Sequence, residues 1–206
     1  MNRPIPTKNP SEALNRYLHI IEGNIGKARS KDLKLVTDKV LAEKKECVTH
    51  ELAGNLEHEY RMPQEGIDIY WPVIKNEMQR YHYHDSWELT GTWVNFQKKH
   101  EFNPIHHHNG DYSFVIWLDI PYNIEDELNH PSVKNSNVPM ASVFNLYYTD
   151  PYGNIAGRPF FLDKKDSGKF AIFKSSMPHS VYPFYTSDEY RAVSYTHLTL
   201  PTILRV

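Results

Sequence analysis

The sequence predicts a mainly β protein with helices near its N-terminus, and three observations support this class. Between residues 30 and 58, apolar residues recur at the spacing of a helix. After His84 the chain becomes a series of short runs rich in Trp, Thr, Val and Phe, separated by Gly, Pro, Asn and Asp. Strands at this spacing are typical of a sandwich or barrel, and 206 residues suit one sizeable core. We therefore predict two helices followed by a compact β-domain.

The N-terminal part is expected to contain an irregular segment over residues 1–29 and a helical support region over residues 30–84. The first segment holds three prolines and two glycines: Pro4, Pro6, Pro10, Gly23 and Gly26. The first helix is indicated by apolar residues at i, i+3 and i+7: Leu33, Val36 and Val40. Gly54 is predicted to end or interrupt this helix. Pro72 suits the first turn of a second helix, whose apolar stripe is Ile74, Met78 and Tyr81.

The β core is predicted over residues 85–194. The stretch "SWELTGTWVNFQ" (86–97) alternates as a strand does. Residues 113–121 form a continuous apolar run stopped by Pro121, which indicates a strand buried on both faces. Residues 141–150 indicate another strand, followed by the turn "DPYGN". Three further runs complete the series: "RPFFLD", "GKFAIFKSS" and "YRAVS".

Composition narrows the classes of function. The net charge of −2 gives no general attraction to nucleic acid or to an anionic membrane. Cys47 is the only cysteine, so an intrachain disulfide is excluded and a reducing compartment is favoured. No apolar run approaches the roughly 20 residues of a membrane helix, and "MNRPIPTKNP" lacks the apolar part of a signal peptide. We expect a cytoplasmic protein.

The last residues, 193–206, have an unusual origin on our interpretation. Residues 193–202 back-translate without a mismatch to GTC TCT TAT ACA CAT CTG ACG CTG CCG ACG, which resembles the transposase end of a common sequencing-library adapter. That adapter continues through a short index to GTG TAG, which gives Val206 and a stop. The alternative is an ordinary C-terminal strand. We predict that the natural sequence departs from this one near Ala192, and that residues 195–206 are a non-native tail.

Three consecutive histidines precede the buried strand, in "NPIHHHNGDYSFVIWLDIP". In an extended segment residues i and i+2 point to one side, so His106 and His108 are expected to point together. Two imidazoles on one face are a plausible pair of ligands for iron, zinc, copper or nickel. His179, in a loop after an apolar strand, is the candidate for the third ligand. The alternative is a solvated histidine cluster in a loop.

Asp111 and Arg191 bear on the same site. Asp111 follows the predicted Asn109-Gly110 turn and could supply the carboxylate of a two-histidine, one-carboxylate iron site. Strand alternation favours His108 and ligand chemistry favours Asp111, so both sets stay open. Arg191 lies on the strand after His179 and could grip a carboxylate bidentately; as a lone arginine it would more often lie at the surface.

Two stretches together resemble the core motifs of iron(II)/2-oxoglutarate-dependent dioxygenases. They are "WVNFQKKHEFNPIHHHNGDYSFVIWLDIP" and "SGKFAIFKSSMPHSVYPFYTSDEYRAVS". "LAGNLEHEYRMP" (52–63) also resembles the oxygenases of marine phages and bacteria. The resemblance covers about residues 50–194. It implies a double-stranded β-helix, which is a cupin-like jelly roll, with Fe(II) and 2-oxoglutarate as cofactors and O2 as a second cosubstrate.

The resemblance also implies roles for individual residues. His106, His108 (or Asp111) and His179 correspond to the iron ligands, and Arg191 to the basic residue that pairs with the far carboxylate of 2-oxoglutarate. The usual His-x-Asp/Glu motif has histidine at its third position here. Further residues are candidates for lining the cosubstrate or substrate pocket: Asn95, Trp93 and Tyr147. Of the neighbours Tyr147 and Tyr148, only one can face inward.

The leading hypothesis is an oxygenase, most simply a hydroxylase, that couples oxidative decarboxylation of 2-oxoglutarate to oxidation of a substrate. One alternative is a cupin-type metalloenzyme that uses three histidines without 2-oxoglutarate. Another is a jelly-roll binding or virion protein with no enzymatic activity. The sequence does not name the substrate.

Overall fold

The computed structural model describes residues 12–82 and 86–200, and of His82 only the backbone. The predicted effect of Pro4, Pro6 and Pro10, and the tail beyond residue 200, lie outside the described residues. In chain order the helices are α1 (Glu12–Leu18), α2 (Lys27–Glu43), α3 (Gln64–His82) and α4 (Ile124–Leu128). The strands are β1 (Ile21–Asn24), β2 (Glu59–Arg61), β3 (Glu88–Gln97), β4 (Asn103–His106), β5 (Tyr112–Asp119), β6 (Phe144–Thr149), β7 (Ile155–Phe160), β8 (Lys169–Lys174), β9 (His179–Val181) and β10 (Arg191–Thr199).

The strands form two antiparallel sheets that face each other. The larger sheet has the order β1-β8-β5-β10-β3-β2, and the smaller has the order β4-β9-β6-β7. Helices α2 and α3 cover the outer face of the larger sheet. The predicted mainly β class with helices near the N-terminus is confirmed, and the two-sheet architecture is that of a jelly roll.

Strand β5 shows why the larger sheet is buried on both faces. Phe114 and Ile116 pack in the core beneath α2 and α3, whereas Val115 and Trp117 pack in the core between the two sheets. Successive side chains of a strand point to opposite faces, so a strand between two cores must be apolar throughout. The continuous run over residues 113–121 therefore forms the predicted doubly buried strand.

Helix α2 is shorter than the helical pattern suggested. It ends at Glu43, and Lys44 adopts a left-handed conformation (φ 52°). The chain then turns toward the larger sheet, where Cys47 forms a bridge to Tyr60. Gly54 lies well beyond the helix, in the loop before β2. The prediction that Gly54 ends the helix was wrong because the stop is made by the backbone at Lys44.

Pro72 was also placed incorrectly, because it lies inside α3 instead of in its first turn. The helix begins at Gln64, directly after Pro63, whose carbonyl accepts the amides of Gly66 and Ile67. Pro63, and not Pro72, is therefore the proline at the start of this helix. Ile74 and Met78 are fully buried beneath the helix as predicted, whereas Tyr81 is exposed.

Residues 12–29, expected to be irregular, contain α1, β1 and the start of α2. Strand β1 pairs with β8 along the edge of the larger sheet, with Ile21 opposite Ile172. Ile21 and Ile25 are buried in the core beneath the helices. Gly23 faces the ring of Phe170, and a Cβ on residue 23 would come within 2.3 Å of that ring. The glycine that suggested irregular structure thus permits close packing of an edge strand.

Strand β10 lies in the middle of the larger sheet, between β5 and β3. Seven of its nine residues, from Val193 to Thr199, belong to the segment that back-translates to an adapter-like sequence. Ser194 and Thr196 are buried on the side of the helices, and Tyr195 is buried on the side of the second sheet. In residues 12–82 and 86–200 we find no helix with the length and hydropathy of a membrane span.

Candidate metal centre

Three histidines meet where the smaller sheet opens toward the larger one. His106 is the last residue of β4 and His179 the first of β9, and the register of these strands pairs the two residues directly. His108 follows in the next loop, where its amide donates a hydrogen bond to the carbonyl of Ser175 at 2.9 Å. The backbone alone therefore fixes the positions of all three residues.

The three rings form a compact triangle. The centroid distance is 4.3 Å between His106 and His179, and 4.9 Å from His108 to each of them. One ring nitrogen from each residue lies within 4.8 Å of the other two. His107 is exposed and points elsewhere, as strand alternation predicts.

Backbone carbonyls set the tautomers of two of these histidines. Nδ1 of His106 lies 2.7 Å from the carbonyl oxygen of Pro104, and Nδ1 of His179 lies 3.1 Å from that of Met177. A carbonyl only accepts, so each Nδ1 carries the proton and each Nε2 keeps its lone pair. Nε2 of His179 is buried with no hydrogen-bond partner. An orphaned lone pair beside two other imidazoles fits a bound metal ion.

Burial keeps these imidazoles neutral. It lowers the pKa of His179 to about 3, and the neighbouring His106 adds to the effect. Burial likewise lowers the pKa of His108 to about 2, with further contributions from His197 and His179. The pKa of His106 is also lowered by burial, although its bond to Pro104 opposes the shift. Neutral imidazole is the form that binds a metal, so the site has ligands ready at neutral pH.

Asp111 does not join the triangle of histidines. Its Oδ2 accepts hydrogen bonds from the amide of Leu200 at 2.8 Å and from the hydroxyl of Thr199 at 3.1 Å. Its own amide and carbonyl bond to Leu198 and Ser175. The chain reverses at Gly110 (φ 103°) and carries Asp111 toward the end of β10. Of the two predicted ligand sets, the geometry favours the one with His108.

A fourth histidine, His197, lies near the triangle and was not predicted. Its ring centroid is 4.1 Å from that of His108 and 4.8 Å from that of Trp93. Its Nδ1 is 3.1 Å from the hydroxyl of Ser113. His197 belongs to the segment that we predict to be adapter-derived, so we do not count it among the candidate ligands.

Arg191 is buried at the start of β10, and its donors reach neutral acceptors. Nη1 donates to Tyr122 Oη at 2.7 Å and to the carbonyl of Ser142 at 2.6 Å, and Nη2 donates to Gln97 Oε1. Nε is buried and has no partner, and neither has the hydroxyl of Ser142. A desolvated guanidinium without a carboxylate beside it fits an anionic ligand.

The inner face of β3 contributes alternate residues to this region. Trp93 meets His108 edge to face at 6.0 Å, and Gln97 accepts the bond from Arg191. Between them Asn95 lies opposite Glu59 of β2, with its Oδ1 buried and without a partner. Trp93 and Asn95 were candidates from the sequence, whereas Gln97 was missed. The period of two along β3 would have identified it.

Two more residues of this region were missed. Glu59 and Asn103 share a narrow cavity with Asn95, His106 and His108. The sequence gave little signal for Glu59, because a glutamate in "LEHEYR" resembles any surface residue.

Tyr147 lies away from the cavity. Leu146 is the cross-strand partner of His179, so Tyr147 occupies the opposite face of β6. Its hydroxyl is 3.0 Å from that of Ser180. Tyr148, the other candidate of the pair, packs partly against the core between the sheets. The structure therefore gives no support for Tyr147 as a substrate-binding residue.

Comparison with known proteins agrees with these features. A family model described as "Putative 2OG-Fe(II) oxygenase" matches residues 91–196, just over half of the chain. A prolyl-4-hydroxylase from Pseudomonas putida is 12% identical over 88% of this chain and 92% of its own, with a TM-score of 0.64. AviO1 from Streptomyces viridochromogenes is 10% identical over 96% and 98%, with a TM-score of 0.60.

A third structure is the epimerase SnoN in complex with Fe3+, alpha ketoglutarate and nogalamycin RO. It is 12% identical over 92% of this chain and 82% of its own, with a TM-score of 0.56. At these identities the likeness to solved structures establishes the fold. The search among curated proteins gave no significant match.

Proposed function

Because the chain belongs to the family of 2OG-Fe(II) oxygenases, we propose that it is a hydroxylase that couples the oxidative decarboxylation of 2-oxoglutarate to oxidation of a substrate C–H bond. Fe(II) and 2-oxoglutarate are its cofactors, and O2 is the second cosubstrate. "LAGNLEHEYRMP" supports a narrower affiliation with oxygenases of marine phages and bacteria.

His106, His108 and His179 are the proposed ligands of the iron. All three are neutral through burial, and two are fixed by carbonyls that hold the Nδ1 proton. This set has no carboxylate, which departs from the two-histidine, one-carboxylate pattern usual for non-haem iron. The ligand set therefore leaves one more positive charge on the centre than the usual set would. We expect this charge to favour anionic partners such as 2-oxoglutarate.

Arg191 is the proposed partner of the far carboxylate of 2-oxoglutarate. Its orphaned Nε–H is a donor that a carboxylate would satisfy, and the hydroxyls of Tyr122 and Ser142 belong to the same neighbourhood. The rings of Phe184 and Tyr122 lie 5.6 and 5.9 Å from the guanidinium carbon and exclude water from it. Exclusion of water strengthens a charge-assisted pair.

The chain supplies position and environment, while the bound groups supply the oxidising power. When bound, Fe(II) would couple 2-oxoglutarate, O2 and a substrate C–H bond to succinate, CO2 and a hydroxylated substrate. The histidines would hold the metal, Arg191 would hold the far carboxylate of the cosubstrate, and the apolar core between the sheets keeps bulk water away.

The single observation that supports the proposal best is the orphaned Nε2 of His179 within the triangle of neutral imidazoles. The test is to add Fe(II) and 2-oxoglutarate to the protein without oxygen. A weak charge-transfer band in the visible is expected, followed by succinate formation when oxygen and a panel of substrates are supplied. Metal binding without any dependence on 2-oxoglutarate would instead favour a three-histidine cupin-type enzyme. Failure to retain metal would favour a binding or virion protein.

A further inference from the structure

A narrow cavity lies between His106, His108 and the loop that precedes β2. Its interior volume is about 10 Å³, close to what one water molecule needs. The loop contributes Leu52 and Gly54, and β2 and β3 contribute the other wall. Asn95 was already a candidate for lining the cosubstrate or substrate pocket, but neither metal ligation nor the proposed role of Arg191 explains Glu59 and Asn103.

The cavity collects hydrogen-bond acceptors that lack donors. Both carboxyl oxygens of Glu59, Oδ1 of Asn95 and Oδ1 of Asn103 are buried without a well-formed hydrogen bond, although the side-chain amide of Asn95 approaches Glu59 closely enough to lower its pKa. The side chains are 0%, 3% and 7% exposed, respectively. An unsatisfied buried acceptor costs about 1–3 kcal/mol, and more if it is charged. Three such side chains in one small space indicate that a donor-rich group belongs there.

No cationic side chain in residues 12–82 and 86–200 forms an ion pair with Glu59. Among the described residues that line the cavity there is no lysine or arginine. Burial raises the pKa of Glu59 to about 7, and the negative charge of Glu101 adds to the shift. Asn95, the cross-strand neighbour, offsets it only in part. A carboxylate buried without a counter-ion is costly, and a positive charge seated in the cavity would hold Glu59 in its ionised form.

The shape of the cavity restricts the kind of cation. A space suited to one water molecule accepts an ammonium group, whereas the planar guanidinium is larger. An ammonium has three donors, which match the three acceptor side chains. Trp93 adds an aromatic wall to the cavity, and aromatic rings attract ammonium groups.

This inference rests on the proposed function, because it assigns the substrate class of the same site. We propose that the cavity receives a primary ammonium group of the substrate, with Glu59 as its counter-ion and Asn95 and Asn103 as further acceptors. The enzyme then oxidises an amine-bearing substrate, and Glu59 determines that specificity by contact with the ammonium.

The test compares small probes that differ in charge. Butylammonium, 1-butanol, butylguanidinium and butylurea are titrated into the Zn(II)-substituted protein with 2-oxoglutarate, and into the metal-free protein. Binding is followed through the NMR signals of the Trp93 indole and of the Asn95 and Asn103 side-chain amides. We expect butylammonium to bind at least 10-fold more tightly than 1-butanol and more tightly than butylguanidinium.

Glu59→Gln keeps the volume of the side chain and removes its charge. We expect this variant to lose the preference for butylammonium over 1-butanol, and we expect Glu65→Gln, at an exposed position on α3, to retain it. Gly54→Ala is an independent variant, because its Cβ would lie 2.7 Å from Asn103 Oδ1 and 3.0 Å from Glu59 Oε1, and 2.3 Å from Leu56 Cδ1, whose side chain would have to shift. It should weaken the binding of butylammonium.

Equal affinity for the charged and neutral probes would overturn the inference, as would a preference that survives Glu59→Gln. Unchanged binding in Gly54→Ala would place the probe elsewhere and would overturn it as well. Zn(II) and 2-oxoglutarate binding are measured separately by calorimetry. If Zn(II) and 2-oxoglutarate do not bind while butylammonium still binds selectively, the result contradicts the oxygenase proposal and leaves the ammonium site standing.

Discussion

His106 and His179 are direct cross-strand partners of β4 and β9, with ring centroids 4.3 Å apart. Residues that face each other across an antiparallel pair keep their separation as long as the ladder holds. The two imidazoles therefore belong to one rigid unit, although 73 positions separate them in the sequence. His108 joins them from a loop tied to Ser175.

The proposed ligands predict a clear pattern of metal loss. His106→Ala and His179→Ala should each lower the affinity for Fe(II) by more than about 100-fold, because removal of a ligand is more damaging than the 10- to 100-fold loss typical of its supporting partners. His108→Asp should retain iron, since a carboxylate is a usual third ligand of non-haem iron. Anaerobic titration with Fe(II), followed by metal analysis, measures all three.

Two matched variants control for this prediction. His107→Ala alters an exposed neighbour and should bind iron normally. Asp111→Asn should also keep its iron, because the three histidines bring their ring nitrogens together without that carboxylate. Loss of iron in Asp111→Asn, with iron retained in His108→Ala, would show that Asp111 is the third ligand.

Arg191→Ala should weaken 2-oxoglutarate specifically. The loss of a charge-assisted hydrogen bond is worth about 2 kcal/mol, or roughly 30-fold in the KM for 2-oxoglutarate. Steady-state succinate production measures the effect. Pyruvate has the same 2-oxo acid group but lacks the far carboxylate, so its weak binding should be similar in the wild type and in Arg191→Ala. A KM for 2-oxoglutarate that does not change would remove Arg191 from the site.

The metal-free protein should lose stability as the pH falls below about 6.5. Burial lowers the pKa of His179 to about 3, so the unfolded state takes up a proton first, and stability falls as the pH drops toward the folded pKa. At pH 5 the protonation of residue 179 in the unfolded state lowers the free energy of unfolding by about 2 kcal/mol. Urea unfolding at pH 7 and pH 5 measures the change in the free energy of unfolding. This change should be smaller in His179→Gln than in the wild type. An equal difference in both proteins would contradict the assignment.

A buried polar pair beneath α3 predicts a stabilising double substitution. Tyr70 Oη is buried without a well-formed hydrogen bond, although the hydroxyls of Thr196 and Ser194 lie close enough to oppose the rise that burial causes in its pKa. Thr196 Oγ1 donates to the adjacent carbonyl of Tyr195 at 2.7 Å. Replacement of both partners by apolar groups of the same shape removes the desolvation cost, so Tyr70→Phe with Thr196→Val should raise the free energy of unfolding by about 1 kcal/mol.

For comparison, Val193→Thr places a hydroxyl on the opposite face, in the core between the sheets, and should destabilise by about 1–2 kcal/mol. Thermal unfolding distinguishes the two outcomes. A destabilised double variant would mean that the hydroxyls beneath α3 stabilise the fold.

The adapter-like back-translation of residues 193–202 predicts the result of resequencing. Long reads across the gene should diverge from this sequence near Ala192, and should continue in a strand that has apolar residues in place of Ser194 and Thr196. A central strand buried on both faces is ordinarily apolar throughout. If the same codons recur within a continuing gene, the segment is native, and His197 becomes a candidate for the metal site.

The strands were predictable where burial alone determines the pattern. The apolar runs that became β5 and β8 lie between two cores, and β6 directs alternate apolar residues into the core between the sheets, so burial specifies the composition of all three strands. Strand β1 has four residues, one of them Gly23. It exists because β8 offers an unpaired edge, and no local pattern reports that. The end of α2 likewise depends on the backbone at Lys44.

The candidate site was predictable to the extent that chemistry identifies residues. Three histidines and a distal arginine stand out in any sequence, and alternation separated His107 from its neighbours. The face of Tyr147 could not be derived, because alternation allows two choices and only the register with His179 decides between them. Glu59 escaped notice because its significance comes from burial and from the missing counter-ion.

The position of β1 has a practical consequence for anyone who trims this protein. Removal of the residues up to Gly26 would delete β1. The hydrogen-bonding edge of β8 would then be exposed, and Ile21 and Ile25 would be lost from the core. Open edges of this kind pair with other molecules. Shortened versions should therefore form aggregates even though every residue of the metal centre is intact.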